Sequence, residues 1–403
     1  MKKIIYFLSF IIMLQLMPLN YTKAEENIIQ IHVSVRGSDG GDGSLQNPLK
    51  SIEAAKKEVK KIKSGVKTEV IFHEGEYRIT KQVLFDETDS GTETAPVTYK
   101  AAEGENVVFK GSVLLDVSKF EPVSDENIYK RLPDESAEHV GELSLSKQGI
   151  RSAVPIGYGN YTTDPVNSNQ LYLNGAEQTL ARWPNAGYST DFETISSTDA
   201  IFAAPSRVAN WKNADDIRIG GFPCIDYAYD RARVSKIDLG DNSITLNKVD
   251  LFGNIGVSGR RWFAYNLLEE LDMPGEWYID KDTNMLYYYP MQPLTETSLE
   301  MSVLTDAMLY FKNCAYINFE GISVKQTCGD AMFLETCSDL SFSGMNFSDI
   351  GRSAFGADKY VPSHVNKNIT VDKCNFNNIG STAVTAFAGN ADTLEPGNFV
   401  VKN

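Results

Sequence analysis

Cysteine, histidine and tryptophan are scarce in this chain: its 403 residues hold five, four and four of them. Five thiols are an odd set that cannot close into a complete disulfide framework, and none has the close Cys/His spacing of a zinc site. Cys314 and Cys337 lie 23 residues apart, and Cys374 falls on an apolar position, so they read as buried free thiols. Basic residues are in deficit, 38 against 53 acidic ones, for a net charge of −15. That sign argues against nucleic acid as a partner, because such binding rests on neutralising phosphates with Lys and Arg. It also favours a neutral over a polyanionic glycan and suits the solubility of a secreted protein.

Long apolar runs are missing beyond the N-terminus. No later stretch approaches the roughly 18 uninterrupted apolar residues of a membrane helix, so no membrane span is expected. The one apolar run, residues 4–17, follows Lys2 and Lys3 and precedes Thr22-Lys23-Ala24. This is the pattern of a signal peptide over residues 1–24, cut after Ala24, and it predicts a secreted, extracellular protein. Cleavage removes three lysines and no acid, taking the net charge from −15 to −18. No cysteine follows the run to carry a lipid anchor.

What the chain does have is a repeat. Residues 318–324, 341–347 and 370–376 align without gaps, at steps of 23 and then 29 residues. A second block keeps the register: Asp330-Ala331-Met332, Ser353-Ala354-Phe355 and Thr382-Ala383-Val384. One unit repeating at such a period is the mark of a solenoid, in which each coil buries its apolar face against its neighbours. The predicted inward ladders are Ile322/Met345/Cys374, Val324/Phe347/Phe376 and Ala331/Ala354/Ala383. The six additional residues of the longer step, 359–364, are expected to loop outward.

Upstream, residues 29–35 alternate like a strand. Pro48 and Ser51 precede a helical pattern in which Ile52, Ala55, Val59 and Ile62 share a face with lysines opposite, ended by Gly65. Such a helix would cover the open first coil of a solenoid. Short strand signals then follow over residues 69–72, 77–79, 83–85, 97–99 and 107–109. Residues 116–297 lack the repeat, hold all four tryptophans and read as an inserted β-rich domain. Its Arg182-Trp183 reads as a turn, and in Tyr287-Tyr288-Tyr289 alternation predicts that about half is buried. The repeat is expected to resume with Leu299-Glu300-Met301-Ser302-Val303. The predicted organisation is therefore a signal peptide (1–24), a cap and first coils (25–115), an insertion (116–297), and further coils (298–403) of which the last is incomplete.

Three passages carry a family likeness. His32-Val33-Ser34-Val35-Arg36-Gly37-Ser38-Asp39 with Asn47-Pro48-Leu49-Lys50-Ser51-Ile52, and Asp89-Ser90-Gly91-Thr92 with Ala95-Pro96-Val97-Thr98-Tyr99 and Phe109-Lys110-Gly111, resemble the opening of secreted pectate-lyase-like proteins. Leu171-Tyr172-Leu173-Asn174-Gly175, Ala181-Arg182-Trp183-Pro184-Asn185 and Gly275-Glu276-Trp277-Tyr278 resemble the insertion of glycoside hydrolase family 141. The resemblance implies an all-β fold, a right-handed parallel β-helix with a short N-terminal capping helix and an inserted β-rich domain. It implies a glycoside hydrolase acting on plant cell-wall or another complex glycan, a polysaccharide or oligosaccharide, through a carboxyl pair and without a cofactor. It also places the family's catalytic acids on later coils, beyond residue 403, so a C-terminally truncated and inactive form is expected. The motifs of polygalacturonases and the calcium-and-arginine constellation of pectate lyases are absent.

Hydrolysis of a glycosidic bond needs two carboxyl groups, about 5–5.5 Å apart for retention and 6.5–9.5 Å for inversion. In the repeat, Glu335 and Asp358 are aligned acids 23 residues apart and form the candidate catalytic pair. Asp330, Asp349, Arg352 and His364 lie near the same turns and are the candidate substrate-binding residues. Asp339 and Asp372 suit hydrogen bonds to turn backbone. No metal site is expected. Calcium at clustered aspartates stays open, since no loop has a recognisable ligand spacing. Trp183, Trp211, Trp262 and Trp277 are candidates for stacking on sugar, or for core. Two other readings remain: a polysaccharide lyase, and a non-catalytic glycan-binding or adhesin-like module.

Overall fold

The computed structural model describes residues 28–62, 65–160, 162–163, 168–211, 214–295, 297–357 and 365–403. The expected signal peptide and the expected outward loop over 359–364 lie outside the described residues.

Strands from both ends of the described chain build three parallel sheets. The first stacks Ile28–Val33, Lys67–Phe72, Val97–Ala101, Ile317–Glu320, Ser341–Ser343, Thr370–Asp372 and Val400–Lys402. The second stacks Gly75–Arg78, Val107–Lys110, Ser323–Thr327, Asn346–Ile350 and Asn375–Ile379. The third stacks Val83–Phe85, Leu309–Lys312, Met332–Glu335 and Phe355–Ala357. The chain visits the sheets in rotation, and four circuits add one strand to each, with the first and last strands of the first sheet outside complete circuits. The 23- and 29-residue steps give the observed register: Phe319 pairs with Phe342 and Phe347 with Phe376.

The corners of the circuits share one backbone device. Gly321, Gly344 and Lys373 have φ of 69°, 60° and 52°, and Gln326, Asp349 and Asn378 have φ of 58°, 57° and 51°. At a third corner Tyr316, Asp339, Asn368 and Asn398 have φ between 48° and 56°. Left-handed residues turn the chain sharply, and Gly, Asn and Asp tolerate them best. Stacking one such residue over the next keeps successive corners in line. Asn398 donates to Asn368, and Asn368 to Asp339, at 2.9 and 2.8 Å.

Apolar ladders fill the stack. Tyr99 lies over Phe319 with ring centroids 5.0 Å apart, and Phe347 over Phe376 at 5.4 Å. Cys314 and Cys337 are buried free thiols on adjacent circuits, 3.6 Å apart, while Cys374 is partly exposed. The helix Ile52–Val59 packs Ile52, Ala54, Ala55 and Val59 onto this core, with the Ser51 side chain capping its N-terminus by accepting from the Ala54 amide. The lysine face expected opposite is not wholly solvated. Lys56 is buried because it pairs with buried Asp89 at 3.2 Å and lies over the Phe85 ring.

Between Lys110 and Leu309 the chain leaves the stack and forms mainly antiparallel sheets. Leu299–Ser302 was expected to resume the repeat. Instead it pairs antiparallel with Ser112–Leu114 and Leu171–Leu173, and the parallel stack resumes at Leu309–Lys312. Alternation alone does not distinguish parallel from antiparallel partners. A five-stranded sheet contains Glu276–Asp280 and Met285–Tyr288. Both faces of this sheet are covered, so Tyr287 and Tyr288 are both buried, against the expectation of half. A seven-stranded sheet contains Arg182–Trp183, Arg218–Gly221, Asp230–Asp238 and Trp262–Tyr265. Arg182-Trp183 is thus a short edge strand paired with Ala264 and Tyr265, rather than a turn.

Candidate functional site

The residues proposed from the repeat separate into local pairs. Glu335 is buried and accepts from the Tyr310 hydroxyl and, at 2.9 Å, from Lys312 Nζ on the preceding circuit. Its candidate partner Asp358 and the candidate His364 lie outside the described residues. Buried Asp330 accepts from the Ser353 amide at 2.9 Å and pairs with Arg352 at 3.2 Å, which joins two of the candidates across neighbouring circuits.

Asp349 has a different partner. It stands at the left-handed corner between Gln326 and Asn378, where its side chain accepts from Asn378 Nδ2 at 2.9 Å. The same nitrogen donates to Glu177 Oε2 at 2.7 Å. Both bonds share one atom, so the two accepting oxygens lie no more than about 5.6 Å apart, the sum of 2.7 and 2.9 Å.

Glu177 reaches this corner because of a tight hairpin. Leu171–Leu173 and Ala176–Glu177 pair antiparallel through Asn174-Gly175, whose φ angles of 50° and 81° are those of a type I′ turn. The pairing sets Glu177 opposite Tyr172, which is itself buried and donates to Gln170. Glu177 is exposed as a residue, and its carboxyl is held at the corner by the Asn378 amide. Burial there raises its pKa; the Asn378 bond opposes the shift and the Asp349 charge adds to it.

Glu177 stands on the rim of an open cleft of about 440 Å³, lined also by Gln170, Thr179, Arg182, Tyr229, Arg231, Phe263, Tyr265 and Trp277. One wall follows from strand alternation in the seven-stranded sheet. Arg182 is opposite Tyr265, and Gly220 is opposite both Phe263 and Arg231, so these side chains share a face. The other face turns Trp183, Ile219, Ala232, Trp262 and Ala264 into a core. Gly220 keeps the wall flat, since a Cβ there would meet the Phe263 ring at 2.5 Å and the Tyr229 hydroxyl at 2.8 Å.

The tryptophans are mainly core. Trp211, Trp262 and Trp277 are buried, and Trp183 packs on Trp262 and Trp211. Trp277 reaches the cleft with one edge while its Nε1 donates to Gln178 O. Tyr229, Phe263 and Tyr265 are the more accessible aromatics, and composition alone did not single them out. Burial pushes the Tyr229 pKa up to about 12, which removes it as a base near neutrality.

Among the described residues, no three His, Cys, Asp or Glu side chains converge as metal ligands, and no helix is long and apolar enough to cross a membrane. No protein-family model and no curated protein matches the chain. A solved structure described as "Glycoside hydrolase" superposes with a TM-score of 0.63 at 14% identity, covering 87% of this chain and 74% of that one. The likeness is one of fold. A second, described as "The complex structure of XylC with xylose", superposes more loosely, with a TM-score of 0.44 at 16% identity over 86% of this chain and 50% of that one.

Proposed function

We propose that the chain is a secreted, carbohydrate-active protein that hydrolyses a glycosidic bond at the cleft edge, with Glu177 and Asp349 as its carboxyl pair. We read the three-sheet stack as a right-handed parallel β-helix of the pectate-lyase-like kind, resembling glycoside hydrolase family 141. Residues 1–24 are its signal peptide, 25–115 its cap and first coils, 116–297 its insertion and 298–403 its later coils. The observation that carries the reading is the single amide of Asn378 shared by two carboxylates. The two bonded oxygens lie within about 5.6 Å of each other, nearer than the 6.5–9.5 Å of an inverting pair, which favours the retaining geometry.

The roles follow from the surroundings. Glu177, whose raised pKa favours the protonated form, gives its proton to the departing glycosidic oxygen. Asp349 attacks the anomeric carbon as that C–O bond breaks, leaving a glycosyl ester on Asp349. Water, deprotonated by Glu177, then attacks the same carbon, frees the sugar and returns both carboxyls to their starting state. A lyase reading is less well supported, because it needs a base to take a carbon-bound proton and the raised pKa of Tyr229 works against one here.

The test is release of reducing ends from a panel of plant cell-wall and host glycans by the full chain. Glu177→Gln and Asp349→Asn are each expected to lose at least about 100-fold in kcat while unfolding as the parent does. Glu335→Gln is the competing variant. Loss confined to it would move the chemistry to Glu335 and Asp358, whereas glycan binding without any cleavage would make the chain a binding module.

A further inference from the structure

We infer that the cleft takes a sugar bearing a carboxylate, with the Arg182 guanidinium as the group that receives it. The inference rests on the cleft being a glycan site and names the class of glycan. Arg182 is half-buried on the cleft wall, where Nε donates to Pro184 O and Nη2 to Gly187 O. These two carbonyls fix the plane of the guanidinium, which stacks on Phe263 with its Cζ 3.9 Å from the ring centroid. Among the described residues, no carboxylate lies within ion-pair distance of it, whereas Arg131, Arg207, Arg218 and Arg233 each have one.

A positioned guanidinium with no carboxylate at ion-pair distance is costly to hold in a cleft and is matched by an anion. Burial lowers the pKa of Arg182, with Tyr229, Tyr188 and the Glu276 charge opposing the shift. A planar fork suits the two oxygens of a carboxylate, and the faces of Phe263 and Tyr265 beside it suit the apolar face of a pyranose ring.

The net charge of −15 favoured a neutral glycan, but net charge averages over the whole surface. A ligand inside a cleft responds to the groups nearest it on the walls, and at Arg182 that group is a cation.

The experiment is calorimetric titration of the full chain and of its Glu177→Gln form with three probes. These are a uronic acid trisaccharide, its methyl ester and the corresponding neutral trisaccharide. The uronate is expected to bind at least about 10-fold more tightly than the ester or the neutral sugar, an advantage of about 1.4 kcal/mol. That advantage should shrink as salt rises and vanish in Arg182→Gln. Glu177→Gln should keep it, since the acid pair is separate from Arg182. Equal affinity for acid and ester on the parent chain overturns the inference without any variant. So does binding of the neutral sugar alone, tighter binding of a sulfated neutral trisaccharide than of the uronate, or no binding of any probe. Loss of hydrolysis in Glu177→Gln bears only on the acid pair, so the two readings fail separately.

Discussion

Glu276 offers a stability test whose size follows from its surroundings. Its side chain is buried at the start of Glu276–Asp280, beside the cleft residue Trp277. Oε2 accepts from the Asp272 and Met273 amides, each at 3.1 Å, while Oε1 has no hydrogen-bond partner among the described residues. Burial pushes the pKa up to about 7 from an ordinary 4.5, with the Met273 amide opposing and the Asp272 charge adding. A folded pKa above the unfolded one means that the unfolded chain releases its proton first. The stability is therefore fully present below about pH 4.5 and is lost as pH rises through about 7. At about 1.36 kcal/mol per pKa unit, the loss is about 3 kcal/mol by pH ~8. Glu276→Gln keeps an oxygen for the two amides and carries no charge to bury. Urea unfolding followed by tryptophan fluorescence at pH 4.5, 6, 7 and 8 should show the parent falling about 3 kcal/mol relative to the variant across the series. Every other titrating group is common to both proteins and cancels. A difference that stays constant within about 0.5 kcal/mol from pH 4.5 to 8 would refute the reasoning.

Two further outcomes follow from the ladders. Phe342→Ala opens a hole between Phe319, Phe311 and Phe355 in the stack and is expected to cost about 3–5 kcal/mol in urea unfolding; a cost below about 1 kcal/mol would mean that the circuits collapse freely onto one another. Asn378→Ala removes the bond that holds the Glu177 pKa down, so the alkaline limb of the kcat profile should move to higher pH, and an unmoved limb would separate Glu177 from the acid role.

The parallel stack was legible because a solenoid writes its contacts into the sequence at a fixed step. Phe342 and Val371 could be paired from register alone, and so could Phe347 and Phe376. The strand Leu299–Ser302 misled for the same reason: its alternation matched the repeat, while its partners lie in antiparallel strands that no period announces. The candidate site shows the same boundary. Asp349 is a substrate-binding candidate of the sequence, read near the repeat's turns, and its corner ladder with Gln326 and Asn378 follows the 23- and 29-residue steps. Glu177 belongs to no repeat, and even the Asn174-Gly175 turn that presents it says nothing of which corner it will meet. A polar corner ladder is not a site by itself, since Asp339, Asn368 and Asn398 form one that bonds only along the stack. What sets the Asp349 corner apart is a second carboxylate delivered from outside the stack, so that Asn378 bonds both along the ladder and across to Glu177. In a fold whose coils are nearly interchangeable, chemistry is therefore to be sought where a residue without register meets one that has it.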